Sequence, residues 1–514
     1  MRTLQDSFAV KTRLDATPKQ ESLAMKYEPT WESVSTHALP EWYGHAKLGI
    51  FIHWGIYSVP GWAAQVSDIQ EMLMADGPKR MLRDNPYAEW YRNTMQIEGS
   101  PTWEHHRATY GADFAYDDFI PAFNAGTKDC DLDAIAAVAE SAGARYLVMT
   151  TKHHDGFALW PSAIAHPVKG EYHADRDLVG GLTNAVRARG MRMGLYYSGG
   201  YDWPVNDAVM RQGADAILAA PSDPNYVGYV TSHVSELIER YKPSLLWNDI
   251  GWPNGSNLAA LFAEYYNTVP DGVINDRWVI AKLKRSAVRD ALLRVAGRLL
   301  QASWRFLPDK KKRLTFPGAR WYDFTTPEYE TFDEIREKKW EATRGVGHSF
   351  GANRHERPED IVTATELVRS FCDIVSKNGN LLLGIGPNEF GIIPDEQARP
   401  LRGLGEWLRR NGEAIYATRP WSRASTQTSG GTQVRFTRRD GVLYALLLDR
   451  PTQLTFAIEG VDSSSVTKAV LLGSGDELLC GSSNGHLEIT LPEHALQEDA
   501  YAIRLGAGVR WIGE

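Results

Sequence analysis

The chain of 514 residues contains only three cysteines, Cys130, Cys372 and Cys480, and they lie far apart in the sequence. Neither a disulfide framework nor a thiolate metal site is therefore expected. A continuous apolar run of about 18 residues is also absent, so no membrane-spanning segment is predicted. Residues 1–37 are polar and lack the apolar stretch of a secretory signal, which favours a cytoplasmic protein with an N-terminal lead-in.

Charge of one sign is not in large excess, because 56 basic residues face 64 acidic ones and the net charge is −8. A broad nucleic-acid-binding surface is therefore not expected. The apolar fraction of 43% is enough for a large core. The chain also holds 17 Trp and 22 Tyr, which either fill that core or offer flat apolar faces to a sugar. Composition alone favours the core.

Short apolar runs alternate with amphipathic stretches between residues 38 and 418, which predicts an α/β fold with a parallel sheet covered by helices. The chain lacks a GxGxxG motif after the first run, which argues against a dinucleotide-binding fold. A TIM-like (β/α) barrel is therefore predicted, although the strand count is one short of eight. The predicted strands are 48–55, 145–154, 192–200, 244–252, 273–278, 345–353 and 380–387.

The pattern changes after the barrel. Residues 419–514 show two-residue alternation of apolar and polar side chains, with turn signals at Gly430-Gly431 and Asp440-Gly441. This pattern predicts a C-terminal antiparallel β-sandwich. The segment carries no cluster of titratable residues, so a supporting role is expected.

Polar and aromatic residues stand at the ends of five predicted strands, and in a barrel the C-terminal strand ends face the active site. A buried structural histidine explains one such residue but not five strands that share the feature. These ends therefore predict a catalytic site. They are His53-Trp54, His153-His154-Asp155, Tyr196-Tyr197, Trp247-Asn248-Asp249 and Asp276-Arg277.

Two chemistries fit such a set. A metal-dependent hydrolase would use the histidines, but His153 and His154 are adjacent and would point to opposite sides of a regular strand, so no metal is expected. The other route uses two carboxylates and no cofactor, as in glycosidases. Asp249, on the predicted strand LLWND, is the candidate nucleophile. The residues alone leave its partner open among Glu89, Asp276, Asp323 and Glu328.

Several long motifs resemble the α-L-fucosidases of glycoside hydrolase family 29, and the resemblance runs from about residue 38 to 418. They are PEWYGHAKLGIFIHWGIYSVPGWAAQ (40–65), NPYAEWY (85–91), TTKHHDGFALWPS (150–162), GLYYSGGYDW (194–203), LLWNDIGWP (245–253), NDRW (275–278), FTTPEYE (324–330) and KWEATRGVGHSFGANR (339–354).

The resemblance implies a retaining exo-acting α-L-fucosidase that needs no cofactor and acts on a fucosylated oligosaccharide or glycoconjugate. By motif position, Asp249 matches the nucleophile and Glu328, in TPEY, the general acid/base, which is less fixed across the family. Contacts to sugar hydroxyls are implied for His53, Glu89, Trp90, His153, His154, Tyr196 and Arg277. An apolar wall for the fucose methyl group is implied for Phe51, Trp247 and Phe350.

Two other functions remain as alternatives, a metal-dependent barrel hydrolase and a fucose-binding protein without turnover. The presence of both Asp249 and Glu328 argues against the second. A membrane partner is not expected, and the oligomeric state, including a homo-oligomer, is left open.

An excursion at about residues 279–319, which compact relatives lack, contains five Lys and six Arg but only two Asp. Its apolar residues recur every three or four positions, which predicts an amphipathic helix with a basic outer face. Such a helix is either a solvated surface element or an element that narrows the leaving-group side of the site, docked on the acidic body or on a neighbouring subunit. The apolar positions are Leu283, Ala287, Ala291, Val295, Leu299, Ala302 and Phe306.

Overall fold

The structure is a computed structural model that describes residues 26–67, 69–221, 223–280, 286–312, 318–497 and 500–513. Its first sheet has seven parallel strands, in the spatial order β5-β4-β3-β2-β1-β7-β6. These strands are β1 Leu48–Ile52, β2 Tyr146–Lys152, β3 Arg192–Ser198, β4 Leu245–Asp249, β5 Val273–Ile274, β6 Trp340–Gly345 and β7 Gly379–Ile385.

Helices separate most of these strands along the chain, so the predicted TIM-like α/β architecture is confirmed. The central strands are buried along their whole length, as expected for strands covered on both faces. The helices are α1 Trp31–Val34, α2 Glu41–Ala46, α3 Ile69–Asp76, α4 Pro78–Arg83, α5 Tyr91–Thr94, α6 Pro101–Tyr110, α7 Ile120–Thr127, α8 Leu132–Ser141, α9 Leu178–Ala188, α10 Gly213–Leu218, α11 Pro224–Tyr241, α12 Leu258–Thr268, α13 Ala287–Ser303, α14 Ala364–Ser376 and α15 Asp395–Asn411.

Side-chain caps fix the starts of several of these helices. Asp131 accepts a hydrogen bond from the backbone nitrogen of Ala134 at the start of α8, at 3.1 Å. Thr363 and Glu366 form a capping box at the start of α14. None of the described helices has the length and apolar character needed to cross a bilayer.

A short irregular segment occupies the gap between β5 and β6. Phe324 bridges Asn275 beyond β5, Thr325 bridges Trp340 of β6, and Glu328 bridges Thr343 of the same strand. This segment supplies the eighth position of the ring that the strand count lacked. It also fixes Glu328 to the barrel wall.

One predicted strand is wrong. The strand expected at 345–353 is a loop, and the strand in this part of the chain is β6, which ends at Gly345. Val346, the first residue after β6, still donates to the carbonyl oxygen of Gly384 on β7, but backbone nitrogens further along the loop donate to side chains. His348 donates to Glu356, and Gly351 donates to Glu89 at 2.9 Å. The chain therefore turns inward above the barrel.

The C-terminal part forms an eight-stranded antiparallel sheet around its own apolar core, with a sandwich-like form as predicted. It packs on the barrel helices, where Trp407 of α15 donates to the carbonyl oxygen of Ala500 at 3.1 Å. Its spatial order is β11-β14-β13-β12-β15-β10-β9-β8. The strands are β8 Arg419–Gln427, β9 Gln433–Arg439, β10 Val442–Leu447, β11 Thr455–Asp462, β12 Ala469–Leu471, β13 Glu477–Ser483, β14 His486–Thr490 and β15 Tyr501–Ala507.

The basic excursion contains the predicted helix, α13, but its orientation differs from the expectation. Its apolar residues face solvent: Leu292 is 62% exposed and Leu299 is 66% exposed. The described members of the predicted inner face, Ala287, Ala291, Val295, Leu299, Ala302 and Phe306, are all exposed, and Leu283 lies outside the described residues. The prediction that the apolar repeat faces the protein and leaves a basic face outside is therefore wrong.

The opposite side of α13 packs on the barrel because it combines a small residue with a large aromatic one. A Cβ atom at Gly297 would lie 2.8 Å from the Cβ atom of Ala214 on α10, so only glycine permits this approach. Trp304, which directly follows α13, is buried. These two contacts decide which face is covered.

Candidate active site

A cavity of about 260 Å³ opens at the C-terminal ends of the barrel strands. Eleven of the twelve predicted site residues line it, and His154 is the exception. The parallel sheet brings them together because side chains that follow neighbouring strands meet at one edge. The eleven are Phe51, His53, Glu89, Trp90, His153, Tyr196, Trp247, Asp249, Arg277, Glu328 and Phe350.

Arg277 joins the two candidate catalytic carboxylates. Its Nη1 atom donates to Asp249 Oδ1 at 2.9 Å, and its Nη2 atom donates to Glu328 Oε2 at 2.9 Å. Each carboxylate has a second donor on its other oxygen. Tyr196 donates to Asp249 Oδ2 at 3.0 Å, and Tyr87 donates to Glu328 Oε1 at 2.8 Å. Both carboxylates are therefore held in fixed positions in the cavity wall.

The guanidinium itself is buried, with 3% of Arg277 exposed. Burial alone would lower its pKa, but the negative charges of Glu328 and Asp249 outweigh burial and raise the pKa above its usual value. Its Nε atom donates to Thr326 Oγ1 at 3.0 Å, and the group lies 4.7 Å from the ring centre of Trp247. Arg277 is a permanent cation locked between two acids.

The backbone enters the left-handed region directly after each carboxylate, at Ile250 with φ 55° and at Tyr329 with φ 51°. A branched residue such as Ile250 is rarely found there, and the conformation costs about 1–3 kcal/mol. The carbonyl oxygen of Ile250 lies against Gly200, where a Cβ atom would approach it to 2.0 Å. The surrounding structure thus holds two strained turns at the reacting groups.

Two of the four carboxylates considered as partners of Asp249 have structural contacts instead. Asp323 pairs with His37 at 3.0 Å and accepts from Tyr266 at 2.9 Å. Asp276 accepts from the hydroxyl of Thr326 at 2.7 Å. Neither lines the cavity, which leaves Glu328 and Glu89.

Glu89 is buried, and its Oε2 atom accepts from the backbone nitrogen of Gly351 at 2.9 Å. Burial raises the pKa of Glu89 to about 7, and the nearby charge of Glu328 acts in the same direction, against the lowering effect of its backbone hydrogen bonds. Glu328, in contrast, shares the Arg277 guanidinium with Asp249. Glu328 is therefore the partner that the geometry couples to Asp249.

The three predicted histidines present free ring nitrogens in a dry environment. His53 Nδ1, His153 Nδ1 and His154 Nε2 are buried and have no hydrogen-bond partner among the described residues. Burial lowers the pKa of His53 to about 3 and lowers the pKa values of His153 and His154 well below the usual range. Buried polar atoms without partners are rare, so the nitrogens of the two cavity-lining histidines, His53 and His153, fit a ligand with hydroxyl groups.

His154 lies behind the cavity wall. Its Nδ1 atom is 2.7 Å from the hydroxyl oxygen of Ser198, and its Nε2 atom is 3.8 Å from Asp249 Oδ2. The implied contact of His154 with a sugar hydroxyl stays a prediction.

Aromatic rings form one side of the cavity. The ring centre of Phe51 lies 5.1 Å from that of Trp247 and 6.2 Å from that of Phe350. These three faces make an apolar wall beside the carboxylates, as the resemblance implies.

Sequence reasoning missed several residues of this site. Tyr87 lies in the motif NPYAEWY, which was the available signal for it. Thr326 lies in the irregular segment that closes the barrel, where no periodicity marks it. The lining residues from α3, α4 and α10 carry no chemical signal at all.

No group of three or more His, Cys, Asp or Glu side chains is arranged to hold a metal ion within the described ranges. The prediction that the protein needs no metal remains to be tested by chelation.

A TIM-like barrel whose site holds two carboxylates joined by one guanidinium is the arrangement expected of a glycoside hydrolase. The alpha-L-fucosidase family model matches residues 15–413. The chain therefore belongs to the α-L-fucosidases of glycoside hydrolase family 29 and is an enzyme of fucoside hydrolysis.

Individual relatives agree with this assignment. The alpha-L-fucosidase of Dictyostelium discoideum is 31% identical over 468 residues, which cover 88% of this chain and 87% of the relative. The tissue alpha-L-fucosidase of Homo sapiens is 30% identical over 488 residues, which cover 91% of this chain and 88% of the relative. The crystal structure of the Thermotoga maritima alpha-fucosidase with fucose matches with a TM-score of 0.77 at 38% identity, over 93% of this chain and 99% of that one.

Proposed function

We propose that this protein is a retaining, exo-acting α-L-fucosidase that works by double displacement through a covalent fucosyl-enzyme. The observation that carries the proposal is the shared guanidinium of Arg277, which holds Asp249 and Glu328 at 2.9 Å each. Two carboxyl groups about 5–5.5 Å apart are required for retention. Carboxylates that bind the two ends of one guanidinium lie close together, which supports this arrangement.

In the first step, Asp249 attacks the anomeric carbon, the bond to the leaving oxygen breaks, and Glu328 donates a proton to that oxygen. In the second step, Glu328 takes a proton from water, the water oxygen attacks the anomeric carbon, and Asp249 leaves. Two inversions give net retention. Arg277 balances the charge of both acids throughout.

The cavity supplies matching contacts for a terminal fucose. The unpartnered Nδ1 atoms of His53 and His153 and the carboxyl of Glu89 fit sugar hydroxyls, and a sugar without those hydroxyls would leave them unpaired. The apolar wall of Phe51, Trp247 and Phe350 fits the methyl group. A fucosylated oligosaccharide or glycoconjugate is the proposed substrate.

The test is to follow hydrolysis of 4-nitrophenyl α-L-fucoside by proton NMR, with and without prior treatment with EDTA. We expect the α anomer of fucose to appear first, at an unchanged rate after EDTA. Early β-fucose would indicate inversion instead. Loss of activity with EDTA and recovery with a divalent ion would favour the metal-dependent hydrolase, and binding without release would favour a fucose-binding protein.

A further inference from the structure

The cavity extends beyond the sugar-sized space at the strand ends. Its outer section lies between α3, α4 and α10, and Ile250, the residue after Asp249, is part of its wall. The other side chains that matter here are Ile69 and Leu73 from α3, Met81 and Leu82 from α4, and Ala216 from α10. None of these six side chains carries a charge or a hydrogen-bond donor, and their one acceptor is the weakly accepting sulfur of Met81.

This section lies where the leaving group of a bound fucoside must go. The leaving group departs on the side opposite the attacking Asp249, toward the acid Glu328. Tyr87, which donates to Glu328 at 2.8 Å, belongs to the same apolar cluster as Ile69, and Met81 packs against that cluster. A sugar in this position would give up water around its hydroxyls without finding new partners on these side chains. An apolar group would instead gain the free energy of leaving water.

The basic excursion holds this outer wall in place. Trp304 Nε1 donates to the carbonyl oxygen of Leu73 at 2.7 Å. Gln301 Nε2 donates to the carbonyl oxygen of Asp76 at 2.8 Å, and Gln301 Oε1 accepts from the backbone nitrogen of Lys79 at 3.0 Å. The end of α13 therefore clamps the junction of α3 and α4 through main-chain atoms.

We infer that the outer section is a leaving-group subsite for apolar groups, aryl or alkyl, and that Trp304 positions its wall. The inference rests on the proposed function and names the class of fucoside that the site prefers. It predicts that the apolar surface of the leaving group, including the far end of an aryl ring, determines the selectivity.

The first experiment compares phenyl, 4-methylphenyl, 4-ethylphenyl and 4-propylphenyl α-L-fucosides, whose phenols have nearly the same acidity. We expect kcat/KM to rise about threefold for each carbon that the subsite buries. The 4-(hydroxymethyl)phenyl fucoside has nearly the shape of the 4-ethylphenyl one and should be the poorer substrate. A flat series, or a better hydroxymethyl substrate, overturns the inference while hydrolysis itself still supports the proposed function.

The second experiment changes the wall. Met81→Gln keeps the length of a half-buried lining side chain but adds a polar amide, so the rise of kcat/KM along the alkyl series should become clearly smaller. Met74→Gln is the matched control, because Met74 is half-buried on α3 and does not line the cavity. An equal slope in both variants would contradict the assignment.

The third experiment tests Trp304 as a positioning residue. Trp304→Phe keeps an aromatic ring but removes the donor to Leu73. We expect KM for the 4-propylphenyl fucoside to rise several-fold with little change in kcat, and KM for methyl α-L-fucoside to change much less. An equal change in KM for both substrates would indicate a merely structural role and would contradict the positioning role of Trp304.

If the unmodified enzyme hydrolyses no fucoside at all, the proposed function itself fails.

Discussion

Arg277 donates to Asp249 Oδ1 at 2.9 Å from a position 28 residues further along the chain, where both side chains are almost excluded from water. The same guanidinium binds Glu328, so one cation holds the proposed catalytic pair together and balances its charge. Without this cation, a buried carboxylate would keep its charge but lose its counter-ion, which costs free energy in a site with little water.

Replacement of Arg277 by lysine tests this role. A single ammonium group does not reproduce the two-ended contact of a guanidinium, so kcat should fall by about 10²–10³ with a smaller change in KM. Arg240→Lys is the control, because Arg240 forms an exposed ion pair with Glu236 and should leave kcat unchanged. If Arg277→Lys and the unmodified enzyme had similar kcat values, the proposed role of Arg277 in holding the two carboxylates would be contradicted.

The role of Glu328 is tested by its dependence on the leaving group. Glu328→Ala should hydrolyse methyl α-L-fucoside poorly, because that leaving oxygen needs a proton, and should still react with a 2,4-dinitrophenyl fucoside to form the fucosyl-enzyme. Azide should then accelerate turnover.

Glu89→Gln provides the comparison. If Glu89 only binds a sugar hydroxyl, this variant should raise KM for all fucosides alike. Uniform loss in Glu328→Ala without azide acceleration, together with a leaving-group effect in Glu89→Gln, would assign the acid/base role to Glu89.

A fourth carboxyl, Glu341 on β6, supports the floor of the site. It accepts from Tyr43 at 2.8 Å and from Trp247 Nε1 at 3.3 Å, and burial raises its pKa to about 7. The unfolded chain releases this proton near the ordinary value of 4.5, whereas the folded chain keeps it to about 7. The free energy of unfolding should therefore fall as the pH rises from about 4.5 to 7, by roughly 3 kcal/mol from this group.

Urea unfolding at pH 4.5, 5.5 and 7 measures this effect. In the Glu341→Gln variant, the free energy of unfolding should depend less on pH between 4.5 and 7. The control variant Glu334→Gln changes an exposed residue and should keep the pH dependence of the unmodified enzyme. A pH slope that is the same in the Glu341→Gln variant and the unmodified enzyme would contradict the assignment.

The orientation of α13 predicts opposite effects on its two faces. Leu292→Gln and Leu299→Gln alter exposed residues and should change the free energy of unfolding by less than about 0.5 kcal/mol. Trp304→Ala removes a buried ring and should cost about 3 kcal/mol. Large losses in the leucine variants would mean that the apolar side of α13 is covered.

Much of the fold could be predicted because strand signals and strand order in a parallel sheet are local. The run LLWND gave β4 with its carboxylate at the correct end. The eighth position of the ring could not be predicted, since residues 324–328 contribute isolated bridges and no periodic pattern. The covered face of α13 could not be predicted either, because Gly297 and Trp304 decide it and neither belongs to the apolar repeat.

The candidate site also divides into residues that local sequence signals predict and contacts that only the folded chain decides. Strand ends placed His53, His153, Tyr196 and Asp249 together, whereas the choice of Glu328 needed the family resemblance. The coupling of Arg277 to both acids depends on how the closing segment folds against β6. Tertiary contacts of this kind leave no pattern in the sequence.

The central claim is that Asp249 is the nucleophile of a double displacement, and azide treatment of the Asp249→Gly variant tests it most directly. Without the carboxylate, activity should fall by several orders of magnitude. Azide should enter the vacated space, attack an activated aryl α-L-fucoside from the opposite face, restore turnover and give β-L-fucosyl azide. Formation of α-L-fucosyl azide by this variant, or activity near that of the unmodified enzyme, would contradict the account.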